Sequence, residues 1–281
     1  MTQLRQRYLE DLRLRNYTAK TQVCYVYCVS AFAKYFNKSP QELGPKQIRE
    51  YQLYLLEKKK SSWAHFNQTV CALRFLYRVT LGKDWVVDRI PFPRRERKLP
   101  EVLSQSEVVQ FLAAIRKLKY RVALTTAYAA GLRLSEILNL RVSDIDSKRM
   151  TIRVRQAKGH KDRYVMLSPK LLVLLRQYWE TQRPTTWLFP GKTKQHQLNE
   201  GVLQHVARRA RHCSGLKKKI TTHTLRHCFA THLLEAGTDI RTIQVLMGHA
   251  TLQTTVQYIH ISQGAVAAVR SPFDELPEPR S

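Results

Sequence analysis

Acidic residues are scarce in this 281-residue sequence, and that scarcity limits what the protein can bind. The chain has 21 Asp and Glu residues against 48 Lys and Arg, which gives a formal net charge of +27 at pH 7. Such an excess indicates a polyanionic partner, although on charge alone a ribosome-associated basic protein stays open. Hydrophobic residues make up 43% of the chain, so we expect a folded body that wraps nucleic acid rather than a disordered basic arm.

Cysteine and long apolar segments are also scarce. The five cysteines are odd in number and irregular in spacing, so the sequence predicts no disulfide framework. Cys24 and Cys28 lie four apart in a helical pattern, which favours small core residues over metal ligands. The sequence shows no signal peptide and no apolar run that could span a membrane. We therefore expect a cytoplasmic protein, associated with the nucleoid if its partner is DNA.

Residues 1–85 are predicted to form a helical domain. Apolar residues recur at helical spacing from 23 to 36 and from 48 to 55, with Pro40 between the two segments. Lysines and arginines occupy the polar sides, as expected for a domain that clamps DNA; a helical bundle with a solvated surface fits this segment equally well. Residues 86–102 contain three prolines and several basic residues, which predicts an extended basic linker.

Residues 103–262 are predicted to be mainly helical with one small β-hairpin. Ser104 and Glu107 form a capping-box pattern at the start of the first helix. Residues 150–155 alternate apolar and polar, and 163–167 form a second short strand, so Lys158 lies near the tip of the hairpin between them. The other helices are predicted over 119–130, from about 134, and over 171–179, 202–211, 225–235, 240–247 and 254–258. Residues 263–281 are predicted to be a C-terminal tail.

The last third of the chain carries side chains suited to cutting a phosphodiester. Without a metal, cleavage needs cationic donors on the phosphate, a proton donor for the leaving oxygen and a nucleophile. Arg226 and His249 can supply donors, Tyr258 is a candidate nucleophile, and Arg133 and Lys158 add two cations upstream. Each of these residues also has a plainer explanation when it is considered alone. An arginine can pair with a nearby carboxylate, a turn lysine is usually solvated, and most tyrosines are buried aromatics.

The ordered set of motifs resembles the tyrosine recombinase, or integrase, family. The resemblance is carried by GLRLSEILNLRVSDID, by the hairpin around Lys158, and by THTLRHCFATHLLEAGTDIRTIQVLMGHATLQTTVQYIH. It implies a helical core-binding domain followed by the catalytic domain of that family. It also implies a catalytic set, in which Tyr258 is the nucleophile: Arg133, Lys158, His223, Arg226, His249 and Tyr258.

The resemblance further implies a mechanism that uses no cofactor. The two arginines and His249 would contact the non-bridging phosphate oxygens, Lys158 would protonate the leaving 5′ oxygen, and His223 is the candidate base. Glu136 would support Arg133. The partners implied are double-stranded DNA recombination sites and a homo-tetramer, or a hetero-tetramer with a related recombinase. Strand exchange would pass through a 3′-phosphotyrosine and a four-way junction, for integration, excision or resolution.

Three alternatives are considered against this interpretation. The spacing of His223 and His227 fits a metal site, but HTLRH lacks the glutamate of a zinc-protease helix and carries an arginine between its histidines, so we predict no metal. His227 and His232 are accordingly interpreted as structural. A type IB topoisomerase uses similar residues and stays open as a second enzyme. A helix-turn-helix regulator needs only basic helices and leaves Lys158, His249 and Tyr258 unexplained together.

The segment after Tyr258 also carries a pattern. Apolar residues at helical spacing, from Ile261 to Val269, predict a short helix. So short a helix needs a surface on which to dock. The resemblance implies docking on a neighbouring protomer, and docking on its own domain remains the alternative.

Overall fold

In the computed structural model, the chain divides into two compact units, Met1–Arg97 and Lys98–Ser281. The structure describes residues 2–84, 90–91, 100–155, 162–249, 251–256 and 258. The hairpin tip with Lys158, most of the predicted linker and the predicted tail helix lie outside the described residues. Within the described ranges, every helix is too short or too polar to cross a lipid bilayer.

The first unit is helical where it is described. Its helices are α1 (Gln3–Leu14), α2 (Ala19–Phe36), α3 (Pro45–Leu53) and α4 (Trp63–Phe75), and the last two continue as π-helical segments, Tyr54–Lys58 and Leu76–Thr80. The Thr18 hydroxyl accepts a bond from the Thr21 amide and so begins α2. In the core, the Tyr77 hydroxyl donates to backbone carbonyls beside α3. Cys28 is buried on α2 and Cys24 partly so, as the helical spacing predicts.

The second unit is also mainly helical, around a small sheet. Its helices are α5 (Gln105–Ala113), α6 (Leu118–Ala129), α7 (Leu134–Leu138), α8 (Pro169–Gln182), α9 (Glu200–Cys213), α10 (Thr222–Glu235), α11 (Ile240–Met247) and α12 (Gln253–Val256). The predicted capping box at Ser104 and Glu107 is confirmed, because each side chain accepts the backbone amide of the other residue. The prediction of a mainly α fold with a small β-sheet is thus confirmed.

The sheet is antiparallel, in the order β1 (Ile145–Asp146), β2 (Thr151–Val154) and β3 (Arg163–Met166). The predicted pairing of β2 with β3 is confirmed, with Val154 opposite Arg163. Ile152 and Val154 face the core of the unit, which explains the alternation in the sequence. The two-residue strand β1 was not predicted, because so short a segment carries no periodicity.

Gly131 follows the end of α6 in a left-handed conformation, with φ of 60°, as its position after the predicted helix indicated. A Cβ at this position would lie 2.4 Å from the Phe229 ring on α10. Gly131 therefore allows α6 and α10 to approach each other, and this contact brings the segment before Arg133 close to α10.

Two of the predicted helix boundaries that differ from the structure lie at the site residues. The helix α10 begins at Thr222, three residues earlier than predicted, because the side chain of Thr221 caps it. The last predicted helix was expected to include Tyr258, but α12 ends at Val256. Tyr258 instead lies in a turn in which its amide bonds to the Thr255 carbonyl at 3.0 Å. Tyr258 is therefore carried by a turn after α12.

Candidate active site

The helix α10 carries two predicted site residues and a third histidine next to them. His223, Arg226 and His227 lie in its first two turns, where positions three and four apart share a face. The side chain of Arg226 points into the unit and is 1% exposed. His223 lies at the surface, and the ring of His227 packs edge-on against it with 4.5 Å between centroids.

Three arginines converge on the C-terminal end of α11. The carbonyls of Leu246, Met247 and Gly248 each accept a bond from a different guanidinium: Arg163 Nε at 3.1 Å, Arg226 Nη2, and Arg133 Nη2 at 2.9 Å. The last carbonyls of a helix have no partner within it and carry partial negative charge. The C-terminal end of α11, directly before His249, therefore binds cationic side chains.

Gly248 makes this arrangement possible. It has a left-handed backbone, with φ of 59°, and ends α11. A Cβ here would lie 3.0 Å from Nη1 of Arg163, so any side chain would crowd that guanidinium. Glycine thus serves both the conformation of the turn and the close approach of Arg163.

The carboxylate of Glu136, on α7, joins two of these arginines. Arg163 grips it with Nη1 on Oε1 and Nη2 on Oε2, both at 2.8 Å. Arg133 donates its backbone amide to Oε2 and its Nη1 to Oε1, also at 2.8 Å. Arg226 lies 3.8 Å from Oε2 and donates to the Gly131 carbonyl at 2.5 Å. This confirms that Glu136 supports Arg133, and it shows that Arg163 shares the carboxylate.

The cluster of Glu136 and the three arginines carries more positive than negative charge. Burial raises the pKa of Glu136, but the hydrogen bonds and charge of Arg163, with the bonds from Arg133, outweigh burial and lower it to about 2. Burial and the positive charge of Arg133 lower the pKa of Arg226 to about 9. Glu136 and Arg226 are therefore both charged at pH 7. One carboxylate thus lies among three guanidinium groups, those of Arg133, Arg163 and Arg226. The site has an excess of two positive charges and suits an anion.

Tyr258 lies beside the arginines in an apolar cluster. It is 1% exposed and packs with Phe229, Ala230, Ile243 and Met247. Its hydroxyl lies 3.0 Å from Nδ1 of His227. The ring of His249 lies nearly parallel to that of Tyr258, with 6.4 Å between centroids.

The histidines are held neutral at pH 7. Burial, then the charges of Arg226 and Arg133, lowers the pKa of His249 to about 3. Burial, then His223 and Arg226, lowers the pKa of His227 to about 4. Partial desolvation and the same two arginines also lower the pKa of His223. Nδ1 of His249 pairs with the Thr255 hydroxyl at 2.9 Å, which leaves its Nε2 to act as a donor if Nδ1 accepts.

The structure brings together all the predicted site residues that it describes. These are Arg133, His223, Arg226, His249 and Tyr258. Lys158 lies outside the described residues, so its place in the set stays a prediction. His232 is structural as predicted, since its two ring nitrogens contact the Tyr128 hydroxyl and the Leu103 carbonyl, each at 2.8 Å.

Sequence reasoning missed two residues of the cluster. His227 was interpreted as structural, yet its Nδ1 lies 3.0 Å from the Tyr258 hydroxyl. Arg163 was read only as part of a strand, and it is 11% exposed with its guanidinium on Glu136. The available signal for Arg163 was a cation next to the hairpin that carries Lys158. In the described part of the chain, His, Cys, Asp and Glu form no group of three or more that could hold a metal ion.

Family profiles and related proteins match both units of this chain, and all of them are integrases or recombinases. The Phage integrase family profile matches residues 101–264, and the profile for a Phage integrase N-terminal SAM-like domain matches residues 4–86. A putative integrase/recombinase of Sinorhizobium fredii, y4qK, is 49% identical over 280 residues, which cover 99% of this chain and 91% of that protein. A tyrosine recombinase of Pseudothermotoga lettingae is 32% identical over 261 residues, which cover 89% of this chain and 90% of that protein.

The fold is also found in a solved assembly. A lambda integrase tetramer bound to a Holliday junction has a chain that aligns with a TM-score of 0.76 and 20% identity. The alignment covers 91% of this chain and 76% of that one. At this identity the likeness concerns the fold, that is, a helical N-terminal domain followed by a mixed second domain.

Proposed function

The chain belongs to the phage integrase family of tyrosine recombinases, which carry out site-specific DNA recombination, and we propose that it does so through a 3′-phosphotyrosine and a four-way junction. The observation that carries this proposal is the arrangement of three arginines around Glu136, beside Tyr258. Its two excess positive charges match a group that brings negative charge, as the scissile phosphodiester does. In phosphoryl transfer, stabilising charge on the non-bridging oxygens is the main task of the site.

The roles of the residues follow from this match. Arg133 keeps 25% of its side chain exposed, so an edge of its guanidinium can reach a phosphate oxygen. Arg226 supplies a second positive charge beneath it, and His249 can donate a hydrogen bond from a neutral ring. Tyr258 is the proposed nucleophile. Its oxygen forms a bond to phosphorus while the bond from phosphorus to the 5′ oxygen breaks, and the departing 5′ oxygen takes a proton from Lys158.

The proton of Tyr258 must leave as the new bond forms. A free tyrosine has a pKa of about 10, so a base assists attack at neutral pH. The family resemblance favours His223 as this base. His227 is a second candidate, because its Nδ1 lies 3.0 Å from the Tyr258 hydroxyl and can accept a hydrogen bond from it when the ring is neutral. Since Tyr258 is 1% exposed, attack also requires the turn after α12 to move toward the DNA.

The partners proposed are two duplex recombination sites and a tetramer of recombinase subunits. Two duplexes with two cuts each need four nucleophiles. The lambda integrase tetramer on a Holliday junction, which shares this fold, supports the same assembly for this chain. A hetero-tetramer with a related recombinase and an association with the nucleoid are further proposals. The excess of basic residues supports affinity for DNA.

Strand exchange between two marked duplexes tests this proposal. The DNA site is first obtained by denaturing the protein on cellular DNA and sequencing the strands that stay attached to Tyr258. Two duplexes that contain this site, each with a different label, are then incubated with the protein in excess chelator. We expect recombinant duplexes, at a rate within about twofold of that without chelator, because the site uses arginines in place of a Lewis acid.

The alternatives give different results in the same assay. Relaxation of supercoiled DNA without exchange of labels would indicate a type IB topoisomerase. Binding without any covalent adduct would indicate a DNA-binding regulator. Activity that is lost in chelator and restored by magnesium or zinc would contradict the metal-free mechanism.

A further inference from the structure

The guanidinium of Arg163 makes more hydrogen bonds to Glu136 than the guanidinium of Arg133 does. Arg163 holds both carboxylate oxygens with the two ends of its guanidinium, at 2.8 Å each, whereas the side chain of Arg133 holds only one. A two-point bond of this kind fixes direction as well as distance. The side chain of Arg163 is 11% exposed against 25% for Arg133, so it is the less accessible of the two to a phosphate in solvent.

This arrangement decides which way Arg133 can turn. If Arg163 were absent, the guanidinium of Arg133 could bind both oxygens of Glu136 and form the two-point bond itself. That bond would draw the guanidinium of Arg133 toward Glu136 and away from a phosphate. With Arg163 present, the guanidinium of Arg133 is held by one bond to Glu136 and one to the Gly248 carbonyl.

Arg163 also links two other parts of the site. Its Nε donates to the Leu246 carbonyl, three residues before His249. It is the first residue of β3, and it pairs across the sheet with Val154 at the end of β2. The same side chain therefore ties the sheet, the support of Arg133 and the end of α11 to one another.

We propose that Arg163 is a positioning residue for strand cleavage, which acts by occupying Glu136 so that Arg133 stays directed at the scissile phosphate. The inference deepens the proposed function and rests on it. Arg163 does not itself contact DNA in this account. Substitution of Arg163 should therefore lower the rate of cleavage of bound DNA and leave the affinity for DNA nearly unchanged.

The test measures single-turnover cleavage of a nicked duplex that contains the trapped site, at saturating protein. Arg163→Gln should slow cleavage by roughly 10- to 100-fold, the size of effect expected when a catalytic group is displaced by about 1 Å. DNA affinity should change by less than about threefold, because many other basic residues contact the phosphates. Arg163→Lys should lose a similar factor, since an ammonium keeps the charge but cannot hold both oxygens at once.

A second arginine of the same sheet region provides the matched control. Arg155 pairs with the buried carboxylate of Asp144 at 2.6 Å, so Arg155→Gln also breaks a short ion pair to a buried acid. It should lower the temperature of unfolding without slowing cleavage of bound DNA by more than about twofold. If Arg155→Gln slowed cleavage as much as Arg163→Gln, the loss would come from general destabilisation, and the proposal would be wrong.

A double-mutant cycle then identifies the route of action. In an Arg133→Ala background, Arg163→Gln should have almost no further effect, because its target has been removed. If the two losses multiplied in full, Arg163 would act independently of Arg133 and the proposal would be overturned. Should Arg163→Gln unfold at the assay temperature, the cycle is run with Arg163→Lys.

Failure of the proposed function would look different. In that case the parental protein would form no adduct with any DNA, and no variant could be ranked. Normal cleavage by folded Arg163→Lys and Arg163→Gln would leave the function intact and reject only the role of Arg163.

Discussion

The hydroxyl of Tyr258 lies 3.0 Å from Nδ1 of His227, and the Tyr258 side chain is 1% exposed. The proposed nucleophile is thus held by a histidine that follows Arg226 directly in the chain. The same α10 helix turn therefore supports both the phosphate-binding charge and the position of the tyrosine. Neutral His227 can accept the hydroxyl proton in this bond, whereas a protonated ring cannot.

The histidines make stability depend on pH. The pKa values of His227 and His249 are about 4 and about 3 in the folded protein, below the ordinary value of 6.5. Below pH 6.5 the unfolded chain therefore binds protons that the folded protein excludes, and the free energy of unfolding falls as the pH drops toward 4 and then 3. We expect the thermal unfolding midpoint to decrease steadily between pH 6.5 and 4.

Replacement of His227 tests this cause. His227→Gln should flatten the decrease, by at most about 3 kcal/mol at low pH given the size of the pKa shift. His196→Gln, at an exposed histidine, is the control and should leave the pH dependence unchanged. An identical pH profile for the parental protein and His227→Gln would show that another group causes the loss of stability.

The arginines are expected to stabilise the transition state more than they bind DNA. Arg133→Ala should slow cleavage of bound DNA by roughly 10²-fold or more, as for the loss of one preorganised donor. Arg226→Ala should do the same, with a further loss of stability because Arg226 is buried and bonded to the Gly131 and Met247 carbonyls. Affinity, measured by titration at fixed salt, should weaken far less. Equal losses of affinity and rate would make these arginines anchors rather than catalysts.

The tail gives a prediction about assembly, although it lies outside the described residues. Truncation after Ser262 should preserve binding to a single site but impair complexes on paired sites and strand exchange. Light scattering on paired-site DNA, alongside the yield of recombinants, measures both effects. A truncated protein that still forms full tetramers and recombines at the parental rate would show that the tail has no role in assembly.

The sequence predicts the features of this fold that depend on residues close together in the chain. Gly131 after α6, the capping box at Ser104 and the β2–β3 pairing follow from backbone preference and alternation, and the structure confirms them. The motif order predicts that Arg133, Arg226, His249 and Tyr258 meet, although they lie up to 125 positions apart.

The missed features depend on long-range packing. Nothing in the RYVM strand indicates that Arg163 reaches α7 and the end of α11, since both contacts span more than 25 positions. His227 was interpreted as structural because the sequence argued against a metal site at His223 and His227. Its contact with Tyr258 exists only because the turn after α12 returns to α10.

Substitution of the tyrosine tests the central claim most directly. The parental protein and Tyr258→Phe are each incubated with a nicked duplex of the trapped site, which releases a short fragment on cleavage and prevents religation. The protein–DNA adduct is measured after denaturation. We predict an adduct on a Tyr258 peptide for the parental protein, and none for Tyr258→Phe at equal occupancy of the DNA. An adduct that persists in Tyr258→Phe, or that maps to another residue of the parental protein, would contradict the account.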